Sequence, residues 1–173
     1  TEKTMAKYKM ASPRGLPIKN IQAEDIRLVH DILKGEGCPE SENLFDDKQW
    51  GIALDGIQKR TARRHHADPK ASADLLVCVE RNRVLFADAK FNCKKVGNIE
   101  KKEIENKRTC SHNMVSSSDC HIISDFYLLF KAVILKPSAI NRLKQTVGNR
   151  PSVHFVNAIE FHQLFGEKEC EAR

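Results

Sequence analysis

The sequence predicts an α/β domain with a central mixed β-sheet flanked by helices. Two apolar runs of strand length, Leu75–Val79 and Val84–Phe91, lie on either side of four polar residues and predict a β-hairpin. Segments with the apolar spacing of helices precede and follow this hairpin. At 173 residues, the chain has the length of one domain and can bury a core of its own.

The first part of the chain is predicted to be helical. Residues 1–20 are interpreted as a basic lead-in, and residues 21–173 as a single domain. Apolar periodicity predicts a first helix over Gln22–Lys34, with a stop at Gly35. A second helix is predicted over Asn43–Arg64. One face of this helix would carry Asp46, Trp50, Ala53 and Ile57.

After the hairpin, helices alternate with apolar strands. The predicted elements are a helix over Ile99–Met114, a buried strand over Asp125–Leu135, a helix over Pro137–Val147, a strand over Ser152–Ile159 and a helical turn over Phe161–Phe165. A third strand beside the hairpin is expected near Ile122–Ile123 or in the lead-in. This alternation is typical of a layered α/β domain.

The hairpin carries three charges that a buried strand does not favour, on Asp74, Asp88 and Lys90. The shorter of two hairpin turns would place Asp74 opposite Ala89, and a turn longer by one residue would place it opposite Asp88. Because Asp88 and Lys90 are two residues apart on one strand, they share a face of the sheet. Two carboxylates and one ammonium group are therefore expected to converge.

Two carboxylates at such close range repel each other unless a cation lies between them. Carboxylate oxygens are ligands for hard divalent ions, which also keep sites for water and phosphate. We therefore expect Mg²⁺ or Mn²⁺ at Asp74 and Asp88, with Zn²⁺ as an alternative. The ammonium group of Lys90 would hold the attacking water or offset charge on the phosphate.

This arrangement resembles the PD-(D/E)xK signature of the restriction-endonuclease-like nuclease superfamily. Asp74 is followed by thirteen residues and then by Asp88-Ala-Lys90, although Ala73 stands where the signature has proline. The resemblance implies a restriction-endonuclease-like core and a metal-dependent endonuclease that hydrolyses phosphodiester bonds. It also implies a third acid on the helix before the hairpin. Asp46 is the candidate, with two rivals, Glu42 and Asp55.

The charge of the chain favours a polyanionic partner. The formal net charge is +6 and the isoelectric point is about 9.0. The residues expected to contact nucleic acid are Lys59, Arg60, Arg63, Arg64, Lys94, Lys95 and Lys107. Alternatively, Lys107 pairs with Glu103 one helical turn away. DNA is the favoured substrate and RNA, including tRNA, is the second.

Histidines and cysteines offer two alternative metal sites. His65 and His66 are adjacent, but neighbouring side chains diverge on a helix. A structural zinc site would need the ligand pairs Cys110 with His112 and Cys120 with His121, whose spacing matches no specific zinc motif. Both alternatives remain hypotheses at this point.

The resemblance also suggests a biological setting. A small basic chain that does not begin with Met looks like the C-terminal nuclease domain of a bacterial polymorphic toxin, as in contact-dependent inhibition. Such a domain acts in the cytoplasm of the target cell and binds a cognate immunity protein. A free-standing restriction, repair or mobile-element nuclease would account for the same residues, and so would a non-catalytic nucleic-acid-binding module. No apolar run is long enough to span a membrane.

Overall fold

The computed structural model describes residues 6–115 and 119–166, and its six strands form one mixed sheet. The strands are β1 (Ile26–Leu28), β2 (Trp50–Ala53), β3 (Leu75–Val79), β4 (Arg83–Ala89), β5 (His121–Leu129) and β6 (Val153–Val156). They lie side by side in chain order. Strands β1 to β4 are antiparallel to one another, whereas β5 pairs with β4 and β6 pairs with β5 in parallel. The predicted α/β class with a mixed sheet is confirmed.

Within the described part of the chain, five α-helices cover the two faces of this sheet. They are α1 (Val29–Gly35), α2 (Asp55–Arg64), α3 (Lys101–Met114), α4 (Pro137–Thr146) and α5 (Ala158–Gln163). Because parallel strands need a crossover, α3 leads from β4 to β5 and α4 leads from β5 to β6. Short 3₁₀ turns occupy Ala23–Asp25, Glu40–Glu42, Val96–Asn98 and Ala132–Ile134.

The sheet separates two hydrophobic cores. Successive residues of β4 alternate between them, so Phe86 packs in the core that receives α2, α3 and α4, and Leu85 packs in the core that receives α1 and α5. Helix residues Ile104 and Leu143 belong to the first core, and Phe161 belongs to the second. Even-numbered residues of β4 therefore face α3, which puts Asp88 on that side.

The hairpin forms with the longer of the two predicted turns. Leu75 pairs with Ala87 and Val79 pairs with Arg83, so three residues, Glu80 to Asn82, make the turn. Arg81 and Asn82 take positive φ angles of 67° and 55°. Extending this register by one residue places Asp74 opposite Asp88.

Both predicted N-terminal helices are wrong over part of their length. A strand, β1, lies within the first of them, and β2 lies within the second. Ile52 of β2 pairs with Ile26 on one side and with Leu76 on the other, and it is fully buried. The apolar positions of such a short segment fit the period of a helix and the period of a strand equally well. Its pairing with neighbouring strands decides that it forms a strand.

Two strands lie beside the hairpin, β2 next to β3 and β5 next to β4. The expected strand near Ile122–Ile123 is β5, because Ile122 pairs with Val84 of β4, whereas β2 was not predicted as a strand. Ile122 and Ile123 are continuous with the predicted buried strand, which therefore begins at His121 rather than Asp125 and ends at Leu129 rather than Leu135. The lead-in contributes an isolated bridge between Met10 and Val79, beyond the end of β2. Within the described part of the lead-in, the Tyr8 hydroxyl donates to Asp125 Oδ2 at 3.0 Å.

In residues 6–115 and 119–166, no helix combines the length and the apolar character that a membrane span needs. Five cysteines in the same ranges are free thiols, namely Cys38, Cys78, Cys93, Cys110 and Cys120. The outermost residues of the predicted lead-in and of the predicted domain, 1–5 and 167–173, lie outside the described residues, as do residues 116–118.

Candidate functional site

Two carboxyl groups meet where β3 begins and β4 ends. Asp74 directly precedes β3, and its Oδ2 atom accepts the Ala89 N–H at 2.8 Å. Asp88 lies within β4 and has 0 % of its surface exposed. Asp74 lies opposite Asp88 in the extended register of the hairpin, close enough for the two carboxyl groups to share a hydrogen bond when Asp74 is protonated. The hairpin register thus brings the two acids into direct contact.

This contact changes the protonation of Asp74. Burial raises the pKa of the Asp74 carboxyl, and the charge of Asp88 and the hydrogen bond with it raise the pKa further, to about 7. The Ala89 N–H acts in the opposite direction because it stabilises the ionised form. Near neutral pH, Asp74 is therefore poised to lose its proton when a cation arrives.

Two lysines and a glutamate complete the polar cluster. Lys90 Nζ lies 3.2 Å from Asp88 Oδ2 and donates to Glu103 Oε1 at 2.7 Å. Lys107 Nζ donates to both oxygens of Asp88, at 3.1 Å from Oδ1 and 3.0 Å from Oδ2. Lys107 Nζ is also 3.7 Å from Glu103 Oε1. The two ammonium groups satisfy the buried charge of Asp88.

The pKa of Lys90 reflects opposing effects. Burial lowers the pKa of the ammonium group, but the charge of Asp88, the hydrogen bond to Glu103 and the charge of Glu103 more than offset this, so the pKa is raised. Lys90 therefore carries its positive charge at neutral pH. It is a donor of hydrogen bonds and not a general base in this state.

Backbone contacts fix the lysines and the acids relative to one another. The Lys90 N–H donates to the Leu129 carbonyl at 2.7 Å, which extends the pairing of β4 with β5 past the end of β4. On α3, the buried Ser111 hydroxyl accepts the Ala73 N–H at 2.8 Å and donates to the Lys107 carbonyl at 2.6 Å. Ser111 thus ties the turn of α3 that carries Lys107 to the residue before Asp74.

Glu36 is a further acid near this cluster, and the sequence analysis did not identify it. It directly follows α1. Burial raises the pKa of Glu36, and the charges of Asp88 and Asp55 add to the effect, whereas Lys107 lowers it. Its flanking residues, Gly35 and Gly37, offered a weak signal of a loop that approaches other groups closely.

The candidate third acids from the sequence analysis lie elsewhere. Asp46 is in the loop before β2, where its Oδ1 atom accepts the Lys48 N–H at 2.8 Å, so its predicted place on a helix is wrong. Since β2 is antiparallel to β3 and Ala53 pairs with Leu75, Asp46 precedes the end of β2 that is remote from Asp74. The structure therefore does not bring Asp46 to the acidic pair.

The two rivals of Asp46 have partners of their own. Glu42 Oε1 accepts the Ala132 N–H at 2.7 Å. Asp55 begins α2 and pairs with Lys59 at 2.9 Å between Oδ2 and Nζ. Asp55 remains close enough for its charge to act on Glu36.

The residues predicted to contact nucleic acid differ in whether they are exposed or already paired within the fold. On α2, Arg60 is engaged within the fold, because it pairs with the buried Asp25 and donates from Nε to the Asn20 carbonyl at 3.1 Å. Arg64 Nη1 donates to Asn20 Oδ1 at 2.7 Å, whereas Arg63 is exposed. The remaining positions are Lys59, paired with Asp55; Lys94 and Lys95, exposed in the loop after β4; and Lys107, which contacts Asp88.

The residues proposed as histidine and cysteine metal sites do not gather. His65 and His66 are exposed at the end of α2, and His66 has a positive φ of 50°. Among the residues that the structure describes, no three side chains of His, Cys, Asp or Glu form a group that could hold a metal ion. The acidic pair alone supplies two carboxylate ligands, Asp74 and Asp88.

Comparison with known proteins gives no assignment, because the chain matches no family model, no curated protein and no solved structure.

The donor set of this site suits a hard divalent cation. Asp74 and Asp88 are the two candidate ligands, the charge of Asp88 acts on Glu36, and Glu103 pairs with Lys90, while Lys90 and Lys107 provide two ammonium groups. The carboxyl groups thus outnumber the ammonium groups, and burial makes it unfavourable to ionise all of them without a further cation. Mg²⁺ is commonly bound through one or two carboxylates, with water and substrate phosphate completing its shell.

Proposed function

We propose that this chain is a metal-dependent endonuclease that hydrolyses phosphodiester bonds in nucleic acid. The observation that carries the proposal is the contact of Asp74 with Asp88, together with Lys90 Nζ at 3.2 Å from Asp88 Oδ2. Two carboxylates can hold a divalent ion whose remaining sites take water and phosphate, and a neighbouring ammonium group can stabilise charge on that phosphate. A restriction-endonuclease-like core is part of this proposal.

Asp74 and Asp88 would hold Mg²⁺ or Mn²⁺. A bound divalent ion lowers the pKa of its water and offsets the charge that builds on the phosphate. On the protein side, Asp74 gives up its proton on binding. The Ala89 N–H keeps the orientation of the Asp74 carboxyl through the bond to its Oδ2 atom.

Lys90 would position water or a phosphate oxygen. An ammonium group has three N–H donors, and two of those on Lys90 are directed to Asp88 and Glu103. The third remains for the substrate. Because only 12 % of the Lys90 side chain is exposed, its charge acts in a poorly solvated site and is weakly screened.

The substrate would approach from the loops around the end of β4. Lys94 and Lys95 lie in this region and form no ion pair with a described residue, so they are the favoured phosphate contacts. DNA is the first substrate class to test, and RNA, including tRNA, is the second. A toxin role with a cognate immunity protein belongs to the same proposal and would place the activity in a target-cell cytoplasm.

A cleavage assay tests the proposal. The protein is incubated with plasmid DNA and, separately, with total RNA, in Mg²⁺ or Mn²⁺ and in EDTA. We expect cleavage that depends on the ion and falls by about 100-fold or more in Asp88→Asn, as when a main electrostatic group is removed from an active site. Asp47→Asn, at an exposed position, is the matched control and should retain full activity. Ion-independent cleavage, or equal activity in both variants, would refute the proposal.

A specific observation favours a second function, a non-catalytic nucleic-acid-binding module. Lys107 Nζ contacts both oxygens of Asp88 and could replace a metal ion permanently. In that case the protein would bind nucleic acid without cleaving it in Mg²⁺, Mn²⁺ or Zn²⁺, and Asp88→Asn would leave binding unchanged. The two functions thus give opposite results in the same assay.

A further inference from the structure

The contact between Lys107 and Asp88 poses a problem for any cation at this site. Lys107 Nζ lies 3.1 Å and 3.0 Å from the two carboxylate oxygens of Asp88. These are the atoms that would bind a divalent ion. An ammonium group and a divalent ion on the same two oxygens would repel each other strongly in a buried place. Movement of Lys107 away from Asp88 would therefore favour binding of the ion.

The structure offers an acceptor for the displaced ammonium group. Glu103 lies one helical turn before Lys107 on α3, and the Lys107 Nζ to Glu103 Oε1 distance is already 3.7 Å. A lysine side chain can turn about its flexible stem without movement of the helix. In the absence of a divalent ion the same move is unfavourable. It would remove part of the positive charge that balances the fully buried carboxylate of Asp88.

We propose that the Lys107 ammonium group is an exchangeable internal cation, which binds Asp88 in the absence of a divalent ion and moves to Glu103 when a divalent ion takes its place. This proposal rests on the proposed function only in taking Mg²⁺ or Mn²⁺ as the ion. It explains how a fully buried carboxylate stays compatible with folding before metal arrives. It also makes Lys107 a competitor of the metal.

Exchange gives Lys107→Met two effects of opposite sign. Without divalent ions, the variant should be less stable, because Asp88 loses one of its two ammonium partners. Its affinity for Mn²⁺ should nevertheless rise. If Lys107 leaves Asp88 open about a tenth of the time, its removal tightens binding about tenfold, since apparent affinity scales with the fraction of competent molecules.

Calorimetric titration with Mn²⁺ and thermal unfolding in EDTA measure these two effects on the intact protein. Lys102→Met is the matched control, because Lys102 is an exposed lysine on the same helix. It should change neither quantity. If Lys107→Met binds Mn²⁺ no more tightly than the wild-type protein does, or if neither protein binds Mn²⁺, the proposal is overturned.

A double-mutant cycle separates exchange from a simple change of charge. Glu103→Gln should weaken Mn²⁺ binding in the wild-type background, where Lys107 needs an acceptor. In the Lys107→Met background most of this weakening should disappear. Equal weakening in both backgrounds would show that Glu103 acts only through its charge, and would overturn its role as the acceptor.

Nuclear magnetic resonance of the wild-type protein gives a readout that does not depend on any variant folding. The side-chain signals of Lys107 should shift during titration with Mg²⁺, while those of Lys102 stay constant. Unchanged Lys107 signals at saturation would contradict exchange. Because no readout involves cleavage, exchange can hold in a protein that proves to cut no nucleic acid, and the nuclease proposal would then fail alone.

Discussion

Among single residues, Asp74 shows most directly what the site does to a carboxyl group. Its partner Asp88 is fully buried and its own side chain is largely enclosed, so two acids share one poorly solvated place. The folded protein therefore favours a proton on Asp74 over a wide pH range. A bound cation would reverse this preference, which links protonation, stability and metal binding at one residue.

The stability of the wild-type protein should consequently depend on pH in a way that Asp74→Asn does not share. Below about pH 4, Asp74 is protonated in both the folded and the unfolded state and contributes nothing. Between its ordinary pKa of 3.8 and the raised pKa of about 7, only the unfolded state releases the proton, so stability falls as pH rises. In thermal melts in EDTA, we expect Asp74→Asn to gain stability over the wild-type protein as pH rises from about 4 to about 8.

The asparagine can keep the bond from the Ala89 N–H, so the comparison isolates the charge. Asp47→Asn should follow the wild-type protein at every pH. Parallel melting curves for Asp74→Asn and the wild-type protein across this range would contradict the raised pKa.

The sequence predicted those site residues that lie close together in the chain. Asp74, Asp88 and Lys90 lie on one hairpin, so the period of a strand and the turn length bring them together. Glu36 was not found because it lies about 50 residues before Asp88 in the chain, and no local pattern relates the two positions. Asp46 was chosen on a helical period that the chain does not adopt there.

Among the elements, α3 is the one that completes the site. It supplies Glu103 and Lys107, and the Ser111 hydroxyl joins it to the segment before β3 by accepting the Ala73 N–H, while donating to the Lys107 carbonyl within the helix. The Ser111 side chain has no exposed surface. The helix therefore has little freedom to slide along the sheet, which fixes the reach of both charged side chains to Asp88 and Lys90.

Ser111→Ala should destabilise the protein by about 1–3 kcal/mol, because the buried Ala73 N–H loses its acceptor. Thr109→Ala, at an exposed position of the same helix, should stay within about 0.5 kcal/mol of the wild-type protein. Urea unfolding measures both. A Ser111→Ala variant as stable as its control would show that α3 is held by packing alone.

The elements also show where sequence patterns suffice. Helix α3 and the hairpin follow from long or strongly apolar patterns, and their predicted bounds lie close to the observed ones. Strands β1 and β2 have only three and four residues, so their apolar positions satisfied a helical period equally well. Their pairing depends on each other and on β3, which no short sequence window contains.

At the scale of the whole molecule, the net charge of +6 combines basic residues that stabilise the fold with basic residues that are exposed to solvent. Arg60 stabilises the fold by pairing with Asp25, which is 4 % exposed. Lys94 and Lys95 are exposed beside the end of β4. Composition predicts a polyanionic partner but cannot distinguish these two uses, because an ion pair formed by residues far apart in the chain leaves no local pattern.

The salt dependence of nucleic-acid binding can distinguish basic residues that contact phosphate from basic residues that stabilise the fold. In an Asp88→Asn background, replacing Lys94 and Lys95 by Gln should make the slope of log affinity against log salt shallower by about two, because each lysine would neutralise one phosphate. Arg60→Gln should leave that slope unchanged and instead lower stability by about 3–5 kcal/mol, because Asp25 stays buried without its partner. Fluorescence anisotropy and urea unfolding measure the two effects. A reversed pattern would move the nucleic-acid surface to α2.

The most direct measurement is a crystal structure of the wild-type protein with Mn²⁺, recorded at a wavelength where manganese scatters anomalously. Our account predicts one anomalous peak at about 2.0–2.3 Å from an oxygen of each of Asp74 and Asp88, with Lys107 turned towards Glu103. An absent peak at this site, with Lys107 still on both oxygens of Asp88 at saturating Mn²⁺, would contradict it.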